Sequence, residues 1–343
     1  MPFDLTKATT LTGFINNNLP RKPWLFRKFF APKLYDTTQI AIDIVEGTKK
    51  LAPFRRVGEE STVKNSIGFK TKLIGPNQIS LKNLTKAYDD ANRAAGQQFS
   101  YADGVKTIDG RIAFKLTQEQ IDMVNRIYMT IEKMCSDALF VGEIPNYDAN
   151  GNVIETFDIG LDDSHRITLT SGDRWSQNTA KILENIDDYC NIVEEDSALP
   201  ATDVIFGKNA KNYLRSNELV LKQLSINTGR FAQIDPQKTE TGAQFLGYTS
   251  SGVRLWYCSE TYENSEGNKA SIVPDDYIAV ISNEMAANVH FGMIEDRKAG
   301  NFVGEIFSKT WDEEDPSGTW LKCASAPVAF VAQPNALVVV KVA

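Results

Sequence analysis

Residues 117–139 read TQEQIDMVNRIYMTIEKMCSDAL, and this stretch decides the fold class. Its apolar side chains recur three and four residues apart, at Ile121, Val124, Tyr128, Ile131, Cys135 and Ala138. That spacing predicts one amphipathic helix, and Thr117 is a suitable N-cap for its start. At about 1.5 Å per residue the helix is roughly 30 Å long, close to the diameter of a small domain. We therefore expect a spine helix on which the other elements pack.

Downstream of the spine helix the pattern changes repeatedly between strand and helix. Asn150-Gly151 is a strong hairpin-turn signal within 139–170, and a second amphipathic helix is predicted near 176–194. Short apolar strands and one short helix follow, at 204–206, 208–215, 245–248, 253–259, 277–281, 327–332 and 336–342. No sustained alternation of strand and helix runs through the chain. The fold class is therefore predicted as α+β with antiparallel sheets.

Upstream of the spine helix, residues 36–82 predict a long β-hairpin. Ile40, Ile42 and Ile44 alternate with polar neighbours, as in a half-buried strand, and 69–74 supplies a return strand. The segment between them carries six charged residues of interest: Lys49, Lys50, Arg55, Arg56, Glu59 and Glu60. Such a ribbon has little core of its own and needs support from elsewhere. Residues 83–110 are polar and predict a flexible connector with a short helix.

Residues 1–35 combine an extended pattern with large apolar side chains. The aromatic residues concerned are Trp24, Phe26, Phe29 and Phe30, with Arg27 among them. Large apolar groups in an extended arm need a surface to cover them. They pack either on their own domain or on an adjacent subunit. We predict contacts with an adjacent subunit, together with the six charged residues of the hairpin.

Charge is distributed unevenly along the chain. Residues 1–115 carry 19 Lys and Arg against 10 Asp and Glu, a net charge of +9, whereas 116–343 carry −16, giving −7 for the whole chain. The basic part either binds nucleic acid or lies on the acidic surface of a neighbouring copy. We favour the second reading, because its basic residues are scattered among apolar ones. An acidic body also suits a container for DNA, since it would not adhere to its contents.

A search for chemistry finds no catalytic, cofactor or metal motif. His165 and His290 lie outside any catalytic pattern, and the four cysteines are far apart in sequence, as buried apolar residues would be. Asn146, Asp148, Asn150 and Gly151 imitate half of a calcium loop, but Phe157 occupies the position that requires a glutamate. No apolar run is long enough to cross a membrane, and no signal peptide is recognisable. We therefore expect a protein that is not an enzyme and that needs no cofactor.

Short motifs also follow one another along the chain in a distinctive order. They are Leu25–Phe30 (LFRKFF), Tyr35–Thr38 (YDTT), the loop entry at 42–53, the spine helix and hairpin, Trp175-Ser176, Val204–Gly207 (VIFG), Tyr213-Leu214, Val273–Asp275 (VPD), Trp311, Asp315-Pro316 and Ser325–Pro327 (SAP). This succession resembles the major capsid proteins of lambda-like tailed bacteriophages, which share the Hong Kong 97-type capsid fold. Residues 83–110 match least.

The resemblance implies a division of the chain into parts. Residues 1–35 would be an N-terminal arm, and 36–82 an extended β-hairpin loop with its flanking strands. Residues 83–175 would form a peripheral domain containing the spine helix 117–139 and a hairpin. Residues 176–343 would form an axial domain, with some segments returning to the peripheral domain. The arm and the loop would lie on neighbouring subunits.

The resemblance also implies a function. The chain would be a major capsid protein that assembles with itself, as hexamers and pentamers, into the icosahedral shell of a virion. That shell would enclose packaged double-stranded DNA without sequence-specific binding and without any membrane. A separate scaffolding protein, a portal and a decoration protein are the expected partners, and assembly would take place in the bacterial host cytoplasm. A tail-tube or connector subunit, a DNA-binding module, and a soluble enzyme with an unfamiliar site are the alternatives.

Overall fold

The computed structural model describes residues 22–45, 69–86, 108–148, 151–177, 179–220, 237–238, 242–264, 267–297, 300–315 and 317–343. The principal helices are α1 (Trp24–Phe29), α2 (Ile108–Phe140), α3 (Ile182–Ser197) and α4 (Lys208–Ser216). The strands in the first part of the chain are β1 (Ala31–Leu34), β2 (Ile40–Val45), β3 (Phe69–Ile74), β4 (Ile79–Lys86), β5 (Glu143–Tyr147), β6 (Val153–Asp158) and β7 (Arg166–Thr168). Those in the middle are β8 (Asp203–Phe206), β9 (Gln237–Lys238), β10 (Ala243–Tyr248), β11 (Arg254–Cys258), β12 (Thr261–Glu263) and β13 (Lys269–Ser271). The remaining strands are β14 (Tyr277–Ile281), β15 (Ala287–Phe291), β16 (Phe307–Glu313), β17 (Gly318–Ser325), β18 (Pro327–Val331) and β19 (Leu337–Lys341).

The largest sheet has seven strands, in the order β7-β19-β14-β8-β11-β10-β9. Its central strand β8 is buried along its whole length, and α3 and α4 pack on the sheet to form one hydrophobic core around Trp175, Ile186 and Phe206. Gly207 follows β8 because a side chain there would collide with the backbone: a Cβ atom would lie 2.1 Å from the carbonyl oxygen of Pro274. The strand and short helix predicted at 204–215 are confirmed.

The spine helix α2 is 33 residues long, which corresponds to about 50 Å. Its buried stripe includes Val124, Ile127 and Ile131, and it forms a second hydrophobic core with the sheets β1-β15-β18 and β16-β17-β4. The predicted helix is therefore confirmed, but its predicted start at Thr117 is wrong. The helix already begins at Ile108.

The helix is joined to the sheet β16-β17-β4 just after Thr117. The side-chain amide of Asn83 on β4 donates a 2.7 Å hydrogen bond to Glu119, and Gln120 donates a buried 3.1 Å bond to Ser308 on β16. Thr117 is therefore an interior position of the helix, and its preference for an N-cap did not set the boundary.

Two predicted hairpins are present as two-stranded sheets. β2 pairs antiparallel with β3, from Ile40 opposite Ile74 to Val45 opposite Phe69. β5 pairs antiparallel with β6, and the positive φ of Gly151 in the turn between them is a conformation that glycine adopts freely. The loop charges predicted between β2 and β3 fall in 46–68, outside the described residues.

Several boundaries and pairings differ from the sequence expectations. Residues 24–29 are helical, where an extended arm was predicted, and the second helix begins at Ile182, where 176 was predicted. The strand β4 extends to Lys86, into the predicted irregular connector, because it pairs with β17 as far as Gly318. The sheets are mixed, since β1 pairs with β15, β8 with β11, and β7 with β19 in parallel. No helix in the described part of the chain is long and apolar enough to cross a membrane.

Candidate assembly surfaces

The aromatic segment at 24–30 packs inside its own subunit. Its aromatic side chains are almost fully buried: Trp24 (3% exposed), Phe26 (1%), Phe29 (8%) and Phe30 (4%). The Phe26 ring lies 6.4 Å from that of Tyr128 on α2 and 6.3 Å from that of Phe291 on β15. The Trp24 ring lies 5.4 Å from that of Trp256 on β11. The prediction that these four residues contact an adjacent subunit is therefore corrected, because the segment coils into a helix that packs in the core formed by the spine helix.

A buried glutamate on the spine helix caps α1. The Glu132 carboxylate accepts hydrogen bonds from the backbone N–H of Leu25, at 2.7 Å, and of Phe26, at 2.9 Å. Pro23, at the N-cap position of α1, forms no side-chain cap. The first N–H groups of a helix need an acceptor, and here a residue about a hundred positions away supplies it. This contact fixes the N-terminal segment to the spine helix.

The Glu132 carboxyl is one of three acidic groups that lie close together. One oxygen of Glu132, one oxygen of Glu260 and the Cys258 sulfur all lie within 4.8 Å of one another. Burial raises the pKa of Glu132 to about 8; the backbone bond from Phe26 opposes this, and the nearby Glu260 adds to it. Burial likewise raises the pKa of Glu260, opposed by Glu132 and by the charge of Arg27. The spacing would suit a metal ion, but both oxygens of Glu132 already serve the cap.

A second buried carboxylate joins α1 to the seven-stranded sheet. Asp203, at the start of β8, is fully buried. It accepts hydrogen bonds of 2.6 Å from both Arg254 and Trp256, and Lys28 of α1 lies 3.2 Å away. The Lys28 ammonium also sits 3.5 Å from the centre of the Trp256 ring. Burial lowers the pKa of Lys28 to about 8, although the charge of Asp203 raises it. The helix α1 is thus attached both to the spine helix and to the seven-stranded sheet.

Sequence reasoning missed both of these carboxylates, although each left a signal. Glu132 follows Tyr128 by four residues and precedes Cys135 by three, so it lies on the apolar stripe of the spine helix. A charged residue in such a stripe is rarely buried without a partner. Asp203 similarly begins the apolar run of β8. The partner of each residue is distant in sequence, so the pattern could not identify it.

Histidine and cysteine residues occupy structural positions. His165 is buried, with Nδ1 2.8 Å from the Leu337 carbonyl and Nε2 2.9 Å from Asp196. His290 stacks on Tyr35, and burial lowers its pKa to about 4. All four cysteines are free and buried, as the sequence predicted. Burial raises the pKa of Cys190 to about 12 and that of Cys323 to about 11, so these thiols are poor nucleophiles.

The most exposed of the large apolar side chains lie on the two hairpins. Leu73 on β3 is 71% exposed, and Ile154 on β6 is 64% exposed. Tyr147 and Val153, which face each other across β5 and β6, are more than half exposed. Lys72 links the hairpins through a 2.7 Å hydrogen bond to the carbonyl oxygen of Asp158. Arg27 is exposed as well. The six predicted loop residues, Lys49, Lys50, Arg55, Arg56, Glu59 and Glu60, lie outside the described residues.

Comparison with known proteins places this arrangement among capsid proteins. The sequence profile of the family described as Phage major capsid protein E matches residues 7–342. No curated protein sequence matches the chain. Among solved structures, a protein assigned as the capsid protein of a prophage in Escherichia coli CFT073 is similar, with a TM-score of 0.74 and 18% identity, over 98% of this chain and 99% of that one.

Two further structures extend the likeness. A phage-related protein from Bordetella bronchiseptica RB50 has a TM-score of 0.57 and 10% identity, over 97% of this chain and 96% of that one. A chain from the capsid of the cyanophage P-SCSP1u has a TM-score of 0.52 and 10% identity, over 95% and 90% of the two chains. At these identities the likeness concerns the fold, and it confirms the predicted Hong Kong 97-type capsid fold.

The family assignment settles the general role of the molecule. The matching profile spans nearly the whole chain, and the fold is that of capsid subunits. The chain is therefore a shell-forming major capsid protein located in the virion capsid, and it belongs to the phage major capsid protein E family.

Proposed function

We propose that copies of this chain assemble as hexamers and pentamers into a closed icosahedral shell around the packaged double-stranded DNA of a tailed phage, and that residues 46–68 lie on the adjacent subunit. The stem formed by β2 and β3 is the observation that supports this proposal. On one face of the stem Ile40, Ile42, Ile44 and Ile74 are buried in the chain's own core. On the other face Leu73 is exposed. A two-stranded ribbon anchored so firmly can carry a loop onto a neighbour.

The N-terminal arm in this proposal is shorter than the sequence suggested. Residues 24–30 are buried in their own subunit, so the segment that would reach a neighbour is 1–21. Arg27, which is exposed, remains a proposed inter-subunit contact together with the six charged residues of the loop. The proposed peripheral domain, 83–175 with returning segments, and the axial domain, 176–343, are supported by the two separate hydrophobic cores.

The proposed partners follow from the role of a shell. A separate scaffolding protein would guide closure, a portal would occupy one vertex, and a decoration protein would reinforce the outer surface. Assembly would take place in the bacterial host cytoplasm, and the DNA would be enclosed without sequence-specific contacts. The role is structural and not catalytic, which the buried histidines and high-pKa thiols support.

Electron microscopy combined with light scattering tests the proposal. The full chain is produced alone and together with the scaffolding protein of its phage, and we expect closed, uniform, roughly spherical particles. A variant in which residues 46–68 are replaced by a short glycine-rich turn should keep the fold of the subunit but lose closed shells, because the loop no longer reaches the neighbour.

A matched control keeps the loop at full length and preserves its charge, with Thr48→Ser and Thr62→Ser at positions outside the six proposed contact residues. This variant should assemble like the wild type. Open rings or tubes from the wild-type chain would contradict the shell proposal. Normal shells from the shortened variant would contradict the proposed role of the loop.

A further inference from the structure

One face of the sheet β16-β17-β4 carries lysine and tryptophan side chains in rows. Lys309, Lys322 and Lys82 are aligned across the three strands, and Trp311, Trp320 and Leu84 form the next row. Residues two apart on a strand point to the same side, so both rows share one face. We call Lys82, Lys309, Lys322, Trp311 and Trp320 the lysine–tryptophan face.

The aromatic and cationic groups of this face are arranged around one another. The rings of Trp311 and Trp320 are stacked, with centres 5.9 Å apart and planes inclined by 17°. The Lys82 ammonium lies 4.9 Å from the centre of the Trp320 ring, and the Lys309 ammonium lies 5.4 Å from that of Trp311. Stacked rings with flanking cations form a rigid surface that can bind a negatively charged chain.

The opposite face of the sheet is already occupied. Leu321 and Cys323, which alternate with the lysine and tryptophan positions on β17, are 1% and 0% exposed, and this side packs on the spine helix. Lys82 is exposed, and both tryptophans are partly exposed. The lysine–tryptophan face is thus directed away from the core formed by the spine helix.

An acidic turn lies at the end of the same sheet. Asp312, Glu313, Glu314 and Asp315 are all exposed where β16 leads into β17. In the described part of the chain no lysine or arginine forms an ion pair with any of them. The groups that contact the first two are uncharged: Thr319 donates a 2.8 Å hydrogen bond to Asp312, and the Trp320 indole N–H donates a 3.1 Å bond to Glu313.

The acidic turn forms no ion pair with the lysines of this face within the described part of the chain. Lys309 and Glu313 are four residues apart on one strand, so their Cα atoms are about 13 Å apart at 3.3 Å per residue. The same sheet therefore presents a positive surface and a negative turn that do not meet within one chain.

We propose that the acidic turn of one subunit docks on the lysine–tryptophan face of an adjacent copy. Such a contact uses two different patches, so it repeats from copy to copy and closes into a ring when the rotation permits. Complementary charge would select the register of the contact and accelerate association. The inference deepens the proposed function, because it identifies one pair of surfaces that join subunits within the shell.

Packaged DNA is the other candidate occupant, and the geometry favours it less. Lys309 forms an ion pair with Asp296, and Lys322 lies 4.0 Å from the same carboxylate, which reduces the positive potential available to phosphate. Each tryptophan ring already contacts the other ring and a lysine, which limits stacking with bases. A carboxylate-bearing turn that fits the face is present on every copy.

Isotope-resolved crosslinking tests the contact in whatever assembly the full chain forms. Equal amounts of ¹⁵N-labelled and unlabelled chains are assembled together and treated with a water-soluble carbodiimide, which joins a carboxylate to a nearby amine. We expect peptides containing 312–315 linked to peptides containing Lys82 or Lys322, with about half of the linked pairs combining a heavy and a light chain. Links confined to single chains, or their absence, would overturn the proposal.

Charge exchange gives an independent readout. The variants Lys82→Glu with Lys322→Gln, and Glu314→Lys with Asp315→Lys, should each lower the assembled fraction by about tenfold or more, which is the effect of losing about 1.4 kcal/mol. Mixing the two variants should recover most of the lost assembly, because in an alternating ring of six each altered turn meets an altered face, whereas a ring of five keeps one mismatched contact. The control Asp163→Lys with Glu195→Lys makes the same change in net charge as the acidic-turn variant, at exposed positions elsewhere, and should assemble normally.

The outcomes separate this inference from the proposed function. If both variants form shells like those of the wild type, the docking proposal is overturned and the shell proposal stands. The same holds if the variants assemble normally but package less DNA. Wild-type rings or tubes that contain the heavy–light links would support the docking and contradict the shell. Circular dichroism and thermal melting of each variant identify any that fail to fold, and for those the crosslinking result decides.

Discussion

Two clusters of tryptophan and lysine in this chain have similar chemistry and opposite positions. In the first, the rings of Trp24 and Trp256 are 5.4 Å apart, with the Lys28 ammonium 3.5 Å from the Trp256 ring centre. In the second, the rings of Trp311 and Trp320 are 5.9 Å apart, with a lysine ammonium 4.9 Å from the Trp320 ring centre. The first cluster is closed inside the subunit, and the second faces outward.

The clusters differ in how fully their rings and lysines are buried. Lys28 approaches the fully buried Asp203, and the adjacent helix start is capped by the buried Glu132. Charged and polar groups can be buried only when such partners are present. In the outward cluster Lys309 and Lys322 approach Asp296 at one edge, but Lys82 is exposed and both tryptophan rings are partly exposed. The second cluster therefore keeps ring and ammonium groups that a neighbour can contact.

Truncating one tryptophan in each cluster to alanine should give the largest difference in the free energy of unfolding. Trp24→Ala removes a 3% exposed ring and should lower the free energy of unfolding by about 3–5 kcal/mol. Trp320→Ala removes a partly exposed ring and should lower it by about 1 kcal/mol. Urea denaturation of the unassembled chain, followed by circular dichroism, measures both values. Equal losses would show that the two clusters are not distinguished by burial.

The glutamate that caps α1, beside the first cluster, can be removed by itself. Glu132→Ala leaves the N–H groups of Leu25 and Phe26 buried without their acceptor, and we expect a loss of about 2–4 kcal/mol in the free energy of unfolding. Asp122→Ala, on the exposed side of the same helix, breaks only a surface ion pair with Arg126 and should cost less than about 0.5 kcal/mol. A loss below 1 kcal/mol for Glu132→Ala would mean that water can replace the cap.

This contrast also explains what the sequence could and could not reveal. The spine helix, the two hairpins and the short apolar strands have local periodicities, and these predicted the α+β class and most elements. The placement of 24–30 depends on Glu132 and Asp203, which are over one hundred positions away in sequence. No local pattern contains that information, so an inward-packed helix was interpreted as an outward arm. The start of the spine helix was misplaced for a different reason, since Thr117 is a suitable N-cap residue that lies in the interior of a helix beginning at Ile108.

Replacing one lysine in each cluster should give a smaller difference in the free energy of unfolding. Lys28→Met removes one of the groups around Asp203 while Arg254 and Trp256 remain, so we expect a loss of about 1–2 kcal/mol in the free energy of unfolding. Lys82→Met removes an exposed charge and should change this free energy by less than about 0.5 kcal/mol. Thermal melting of the two variants at pH 7 measures the difference. A Lys82 variant as unstable as the Lys28 variant would show that the outward cluster also supports the fold.

The smallest expected effect is a pH dependence that arises from Glu132. Its pKa is raised from 4.5 in the unfolded chain to about 8 in the folded one, so the folded state binds the additional proton between these values. The contribution of this group to stability is therefore fully present below pH 4.5 and is lost as the pH rises through about 8. Glu132→Gln cannot titrate and loses one of the two acceptors. It should be less stable than the wild type by about 1 kcal/mol at pH 5.

The difference between the wild type and Glu132→Gln should shrink or reverse by pH 8, because the wild-type carboxyl then loses its proton in a buried site. Glu260 faces Glu132 and titrates with it, so the measured difference belongs to the pair. His290, whose pKa is lowered to about 4, makes the folded state more stable as the pH rises from about 4 to 6.5. This contribution of His290 is the same in the wild type and in Glu132→Gln, so it cancels when the stability of one is subtracted from that of the other. Urea denaturation at pH 5, 6, 7 and 8 gives the curve, and a difference that stays constant across this range would show that Glu132 caps α1 as a carboxylate throughout.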